Sequence, residues 1–265
     1  MNAHEGAYLY TFTAMGTLCT LRLVADTREQ ADMWAALAIA EVERIEGKYS
    51  RYKPDSVISA INASAGTGKP KAVDDETASL IDFAFACYRK SDGLFDITSG
   101  VLRRVWSFNS QSLPDSHAIE SLLSLIGLDK LHWDYPHLTL PLAGMEIDFG
   151  GIGKEYAVDR VAAVLREEGC EQRLIDLGGD MLALGASSDG AGWKIGLRDP
   201  FQPTGSVGVV FLINNALATS GDYERCIDIN GTRYSHILNP RTGWPAHGLS
   251  SITVQAPQCM VAGSL

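Results

Sequence analysis

DFGGIGKEYAVDR, residues 148–160, places three glycines between an acidic residue and the start of an amphipathic segment. Beyond it Val158, Val161, Ala162 and Leu165 recur at i, i+3, i+4 and i+7, the spacing of one helix face, and Gly169 is positioned to end that helix. Upstream, HLTL and MEIDF alternate in polarity and read as strands. The stretch is therefore a strand-to-helix turn with bare backbone at the helix start, where amide N–H groups and the helix dipole favour phosphate. Lys154 adds a point charge on the first turn. A dinucleotide fingerprint needs G-x-G-x-x-G, but Gly150, Gly151 and Gly153 are followed by Lys-Glu-Tyr, so that reading fails. Taken alone, the motif reads equally as a tight strand–helix junction.

Working outward, YLYTFTAMGT and LCTLRLVA are β-rich and meet at Gly16, which predicts a hairpin. Ala31, Trp34, Leu37, Ala38 and Ile45 fall near helical spacing, so a helix is expected from Thr27 to about Lys48, with Asp26 or Thr27 as its cap. Shorter helices are expected over Ser56–Asn62, Glu76–Arg89 and Ser116–Leu125. After the glycine motif RLIDLGGD, MLALG, WKIGL, VGVVFL, CIDI, RYSHIL and SITVQA read as strands, and Asn230-Gly231 marks a tight hairpin. Helices gather in the first half and antiparallel strands in the second, which predicts an α+β fold rather than a doubly wound one.

The balance of 22 Lys and Arg against 32 Asp and Glu gives a net charge of −10, and no local basic stripe relieves it, so nucleic acid is excluded as a partner. No stretch approaches the length of a membrane span. Five scattered cysteines form no C-x-x-C pair and argue against a zinc knuckle or a redox dithiol. Unpaired thiols, and an N-terminus without a basic-then-apolar pattern, predict a cytoplasmic protein, or a periplasmic one if an export signal has been removed.

Three further stretches carry polar groups suited to chemistry. GLFDITSG (93–100) sets Asp96 beside Phe95, and its local reading is an Asx turn or helix cap. IDLGGDML (175–182) sets Gly178-Gly179 between two aspartates, either a bend in a sheet or a backbone wall against a ligand. TSGDYER and RYSHILNPRTGWP gather Ser220, Asp222, Tyr223, His236, Asn239 and Arg241, without the order of a hydrolase triad. Gly66-Thr67-Gly68-Lys69 echoes a P-loop but lacks its spacing and its preceding strand.

In order along the chain, AMGT (14–17), YSRYKPDSVISAIN (49–62), GLFDIT (93–98), DFGGIGKEYAVDR, DLGGD, TSGDYER and RYSHILNPRTGWP resemble the FAD:protein FMN transferases, the ApbE family. The resemblance implies an α+β architecture of antiparallel sheets with packed helices, related to the T-fold. It implies Mg²⁺-assisted transfer of FMN from FAD to a threonine hydroxyl of an acceptor flavoprotein, with release of AMP. By position it implies FAD contacts at Met15, Tyr52, Leu94, Phe95, Asp96, Asp148, Lys154 and Leu238. Gly151 matches a residue whose oxygen binds magnesium, here only through its backbone carbonyl. His236 is the candidate for taking the acceptor hydroxyl proton, since an imidazole can do so near neutral pH.

Two departures from the family pattern bear on the metal. Glu155 follows Lys154 where the family has glycine, and a carboxylate there would repel phosphate or turn to solvent. The family's remaining magnesium ligands are an Asp and a Thr of an Ala-Asp-Ala-Leu-Ala-Thr stretch, whereas this sequence reads Ala262-Gly263-Ser264-Leu265. Residues 1–265 are thus expected to form a single ApbE-like domain lacking the family's C-terminal segment, with weakened Mg²⁺ binding. The alternatives to transfer are a non-catalytic FAD-binding protein and an FAD hydrolase giving FMN and AMP. The sequence sets no oligomeric state.

Overall fold

A computed structural model describes residues 6–110, 112–202 and 205–264. Strands β1 (Gly6–Ala14) and β2 (Thr17–Ala25) form the expected hairpin. Helix α1 (Arg28–Tyr49) follows, and the Thr27 hydroxyl accepts from the Gln30 N–H at 3.2 Å to cap it. Ser56 and Asp74 cap α2 (Val57–Asn62) and α3 (Asp75–Lys90), which flank the two-residue β3 (Lys71–Ala72). A 3-10 helix (Ile97–Arg104), α4 (Ser116–Leu123) and the short strands β4 (His132–Asp134) and β5 (His137–Thr139) come next. Helix α5 (Gly153–Glu167) leads into β6 (Arg173–Leu177) and β7 (Asp180–Leu184). The remaining strands are β8 (Trp193–Arg198), β9 (Ser206–Leu212), β10 (Asn215–Gly221), β11 (Cys226–Ile229), β12 (Thr232–Ser235) and β13 (Ser251–Ala256), followed by α6 (Cys259–Ser264). The fold is α+β, as the sequence predicts.

The chain forms two compact units. Unit 1 comprises Met1–Gly47, Ile152–Gly221 and Ser251–Leu265. Its frame is an antiparallel six-stranded sheet in the order β1-β2-β6-β7-β10-β13. Leu21, Leu23, Ile175 and Leu177 of the sheet, and Val158, Val161 and Leu165 of α5, are completely buried. Each such side chain contributes about 1.5–3 kcal/mol of transfer free energy, so the face of α5 seen in the sequence is what fixes the helix to its unit. The β8–β9 ribbon adds a second cluster in which Trp193, Ile195 and Leu212 pack on Val24, Leu174 and Leu217.

Unit 2 comprises Lys48–Gly151 and Asp222–Ser250. It holds α2, α3, α4, the small sheet β3-β5-β4 and the β11–β12 hairpin. One of its cores joins Val101, Leu102, Trp106, Ile119, Ile126 and Ile227. Trp106 packs edge-on to Trp244 with ring centroids 5.4 Å apart, and its indole N–H donates to the Gly243 carbonyl at 2.8 Å. The Asn230-Gly231 hairpin is present, both residues having positive φ.

Three local expectations are corrected. MEIDF joins no sheet: the Ile147 N–H and carbonyl pair with the Asn62 side chain at 2.8 and 3.0 Å, and the Asp148 N–H donates to the Ile97 carbonyl at 2.8 Å. These partners take the backbone groups that a ladder would use. The strand expected through RYSHIL ends at Ser235, because the chain turns beyond it into the Asn239–Trp244 loop. NALATSG (215–221), to which the sequence reading assigned no strand, is strand β10, paired with both β7 and β13.

Candidate active site

In unit 1 two tight turns lie side by side at one end of the sheet. Met15-Gly16 joins β1 to β2, and Gly178-Gly179 joins β6 to β7. All four have positive φ, which the two-residue hairpin demands and which Met15 adopts without glycine's freedom. Since β2 pairs with β6, Thr17 comes against Gly178: a Cβ there would stand 2.4 Å from the Thr17 hydroxyl oxygen. The Asp176 carboxylate accepts from the Gly179 N–H at 2.8 Å and fixes the second turn. Met15, a predicted flavin contact, thus sits at the tip of the β1–β2 hairpin.

Helix α5 begins after Ile152, which supplies no side-chain cap. Lys154, on its first turn, donates to the carboxylate of Asp180, the first residue of β7. Burial opposes the Lys154 charge, but Asp180 and Glu155 outweigh it and hold its pKa above the ordinary lysine value. Asp180, contained in the DLGGD motif, is a partner that sequence spacing alone does not assign to Lys154. Glu155 does not turn to solvent: it is 7% exposed, and its Oε2 is buried with no hydrogen-bond partner. Burial and the neighbouring Asp180 charge push its carboxyl up to about 7, against the pull of Lys154.

In unit 2 the predicted site residues divide by exposure. Tyr52 is 76% exposed, its ring 5.6 Å from the Arg51 guanidinium, and Leu94 is also exposed. Phe95 is half-buried, with its ring edge 3.6 Å from the position a Cβ on Gly151 would take. The Asp96 carboxylate is occupied: Oδ1 accepts from the Thr98 N–H at 2.7 Å and its hydroxyl at 2.6 Å, and Oδ2 from the Leu128 N–H at 3.1 Å. That is the cap seen in the sequence, and it opens the 3-10 helix that the sequence did not reveal. Asp96 also borders a groove of about 550 Å³ lined by Tyr88, Asp92, Asp129 and Arg241.

Asp148 accepts from the Arg51 guanidinium at 3.3 Å and from the Gly150 N–H at 2.9 Å, with Arg103 at 3.7 Å. Arg51, not singled out from the sequence, links Asp148 to Glu146. His236 donates its backbone N–H to the Arg225 carbonyl at 2.9 Å and meets Phe108 edge-on at 6.4 Å. Leu238 bridges to Pro245 beside the Asn239–Trp244 turn, which Arg241 ties to Asp92 at 2.8 Å. The loop thereby carries His236 and Leu238 on a braced support.

Among the described residues no group of three or more His, Cys, Asp or Glu is arranged to hold a metal. The described cysteines are free thiols, and no described helix is long and apolar enough to cross a membrane.

These features define an α+β protein whose glycine turns and helix start suit phosphate and whose exposed Tyr52 suits a planar ring. The model of the ApbE family matches residues 15–265, and the chain belongs to that family. It is 32% identical over 272 residues to the FAD:protein FMN transferase of Treponema pallidum, covering 95% of this chain and 75% of that protein. The crystal structure of the ApbE protein from Thermotoga maritima superposes with a TM-score of 0.89 at 31% identity, over 98% of this chain and 84% of that one. The apo flavinyl transferase ApbE of Pseudomonas stutzeri superposes with a TM-score of 0.85 at 27% identity, over 98% and 82%. The protein is a transferase.

Proposed function

We propose that this protein transfers FMN from FAD to a threonine hydroxyl of an acceptor flavoprotein, releasing AMP, with Mg²⁺ as the assisting ion. The observation that carries the reading is the family match over residues 15–265, joined to relatives that are FAD:protein FMN transferases. In the reaction the threonine oxygen bonds to the FMN phosphorus, and the bridging P–O bond to the AMP phosphate breaks. The hydroxyl proton passes to His236, and AMP leaves with the bridging oxygen. A bound Mg²⁺ would supply charge neutralisation on the pyrophosphate oxygens.

The remaining work falls to the chain's own groups. Lys154 and the uncapped N–H groups at the start of α5 offer donors to phosphate. Met15 on its hairpin tip, and Tyr52, Leu94 and Phe95, offer apolar contact to the flavin. Asp148 and Leu238 are proposed as further FAD contacts, and Asp96 through its backbone, since its carboxylate is engaged as a cap. Gly151 is proposed to offer its carbonyl to Mg²⁺. Fit to that ion is supported by Glu155, a hard oxygen donor with a buried, unpartnered Oε2.

The test is to incubate the protein with FAD, Mg²⁺ and an acceptor flavoprotein, then denature and separate the products. Acceptor that keeps flavin fluorescence after denaturation supports the proposal. An acceptor that stays dark, whether or not AMP is released, overturns it.

A further inference from the structure

Glu155 lies on the first turn of α5, and Gly263 lies in the short helix α6. Glu155 on α5 and Gly263 on α6 meet within unit 1: a Cβ built on Gly263 would stand 2.5 Å from the Glu155 Cγ, 2.8 Å from its Oε1 and 3.0 Å from its Cδ. Real side chains do not approach so closely, so the Glu155 side chain occupies the space that a side chain on residue 263 would need. A carboxylate can enter this space from either helix, but not from both.

The charges facing Glu155 call for a cation. Lys154 precedes it on α5, Asp159 lies a turn further on, and Asp180 comes from β7. Asp159 is engaged by the N–H groups of Cys259 and Met260 at 2.8 and 3.0 Å, and Asp180 by Lys154. One ammonium thus stands among three carboxylates. Cys259, from α6, is a buried free thiol and brings no positive charge. Glu155 alone of the three carboxylates has a buried oxygen without a donor, at 7% residue exposure. A buried carboxylate oxygen in that state is costly unless a proton or a metal ion meets it.

We propose that Glu155, entering the space left by Gly263, is the carboxylate through which this chain holds its divalent cation. This rests on the function proposed above. A single protein carboxylate suffices for such a site, because Mg²⁺ is commonly held by one or two carboxylates together with substrate phosphates and water.

The experiment uses Mn²⁺ as the probe, titrated into the full chain with FAD bound, with free Mn²⁺ read by electron paramagnetic resonance. Wild type should bind Mn²⁺, and Glu155→Gln, which keeps the shape and removes an unpaired charge, should bind it about tenfold more weakly or worse. The reciprocal variant Glu155→Gly with Gly263→Asp should regain affinity while keeping the wild-type melting temperature within a few degrees. Equal Mn²⁺ affinity in wild type and Glu155→Gln, or no binding by either, overturns the inference. Flavin transfer by the same samples separates the two claims. Glu155-dependent Mn²⁺ binding without transfer leaves this inference standing and the proposed function refuted, whereas transfer with Glu155-independent Mn²⁺ binding does the reverse.

Discussion

The Lys154 ammonium is bound to the Asp180 carboxylate, so the cation at the start of α5 arrives at any phosphate already paired. Asp180 keeps only 5% of its side-chain exposure and Lys154 about a third. Replacing Asp180 with Asn should therefore take from Lys154 the carboxylate that binds it, leaving only the charge of Glu155 beside it, and cost about 3 kcal/mol, the low end for a buried pair. Urea unfolding reads the loss. The double variant Lys154→Met with Asp180→Leu should recover most of it while abolishing flavin transfer.

The titration of Glu155 gives the metal-free protein a pH signature. Its folded pKa of about 7 lies above the ordinary value of 4.5, so between those limits the folded state holds a proton that the unfolded chain has released. Stability is therefore fullest at and below the unfolded value and falls as pH rises through this window. In EDTA, wild type should lose urea resistance from about pH 4.5 to pH 7, and Glu155→Gln should show a flatter profile. Identical profiles would remove Glu155 as the titrating group.

The two glycines of the β6–β7 turn are not equivalent. A Cβ on Gly179 meets nothing within 4 Å, so Gly179→Ala pays only for its positive φ, about 1 kcal/mol. Gly178→Ala adds the collision with the Thr17 hydroxyl and should cost at least about 1 kcal/mol more. Because the neighbouring hairpin carries Met15, Gly178→Ala should also weaken FAD binding, and Gly179→Ala should leave it nearly unchanged. Thermal melts and flavin fluorescence titrations distinguish them.

Tyr52 and Asp96 should separate contact from support. Tyr52 is 76% exposed, so Tyr52→Ala should leave the melting temperature unchanged while weakening FAD binding by about tenfold, the scale of lost aromatic stacking. Asp96→Ala removes the acceptor of three hydrogen bonds and should cost about 3 kcal/mol of stability before any effect on FAD is counted.

Much of the fold was legible because its signals are local. The Thr27 cap and the apolar spacing through Ile45 mark α1, Gly16 marks the first hairpin, and Asn230-Gly231 marks the β11–β12 turn. MEIDF misled because alternation reports burial, not partners, and its backbone partners are the Asn62 side chain and Ile97. Site residues were legible as motifs, but their engagements were not. Asp180 joins Lys154 only once β7 is laid beside α5, and the direction taken by Glu155 depends on a missing side chain at position 263. Asp96 was the reverse case, a cap readable from its own neighbours.

The central claim, FMN transfer from FAD to a protein threonine, is met most directly by mass spectrometry of the acceptor after reaction with FAD and Mg²⁺. The account predicts an intact mass raised by one FMN less one water, the addition mapping to a threonine, with AMP released in equal amount. An acceptor of unchanged mass, with AMP and free FMN accumulating together, would contradict it and make the protein a hydrolase.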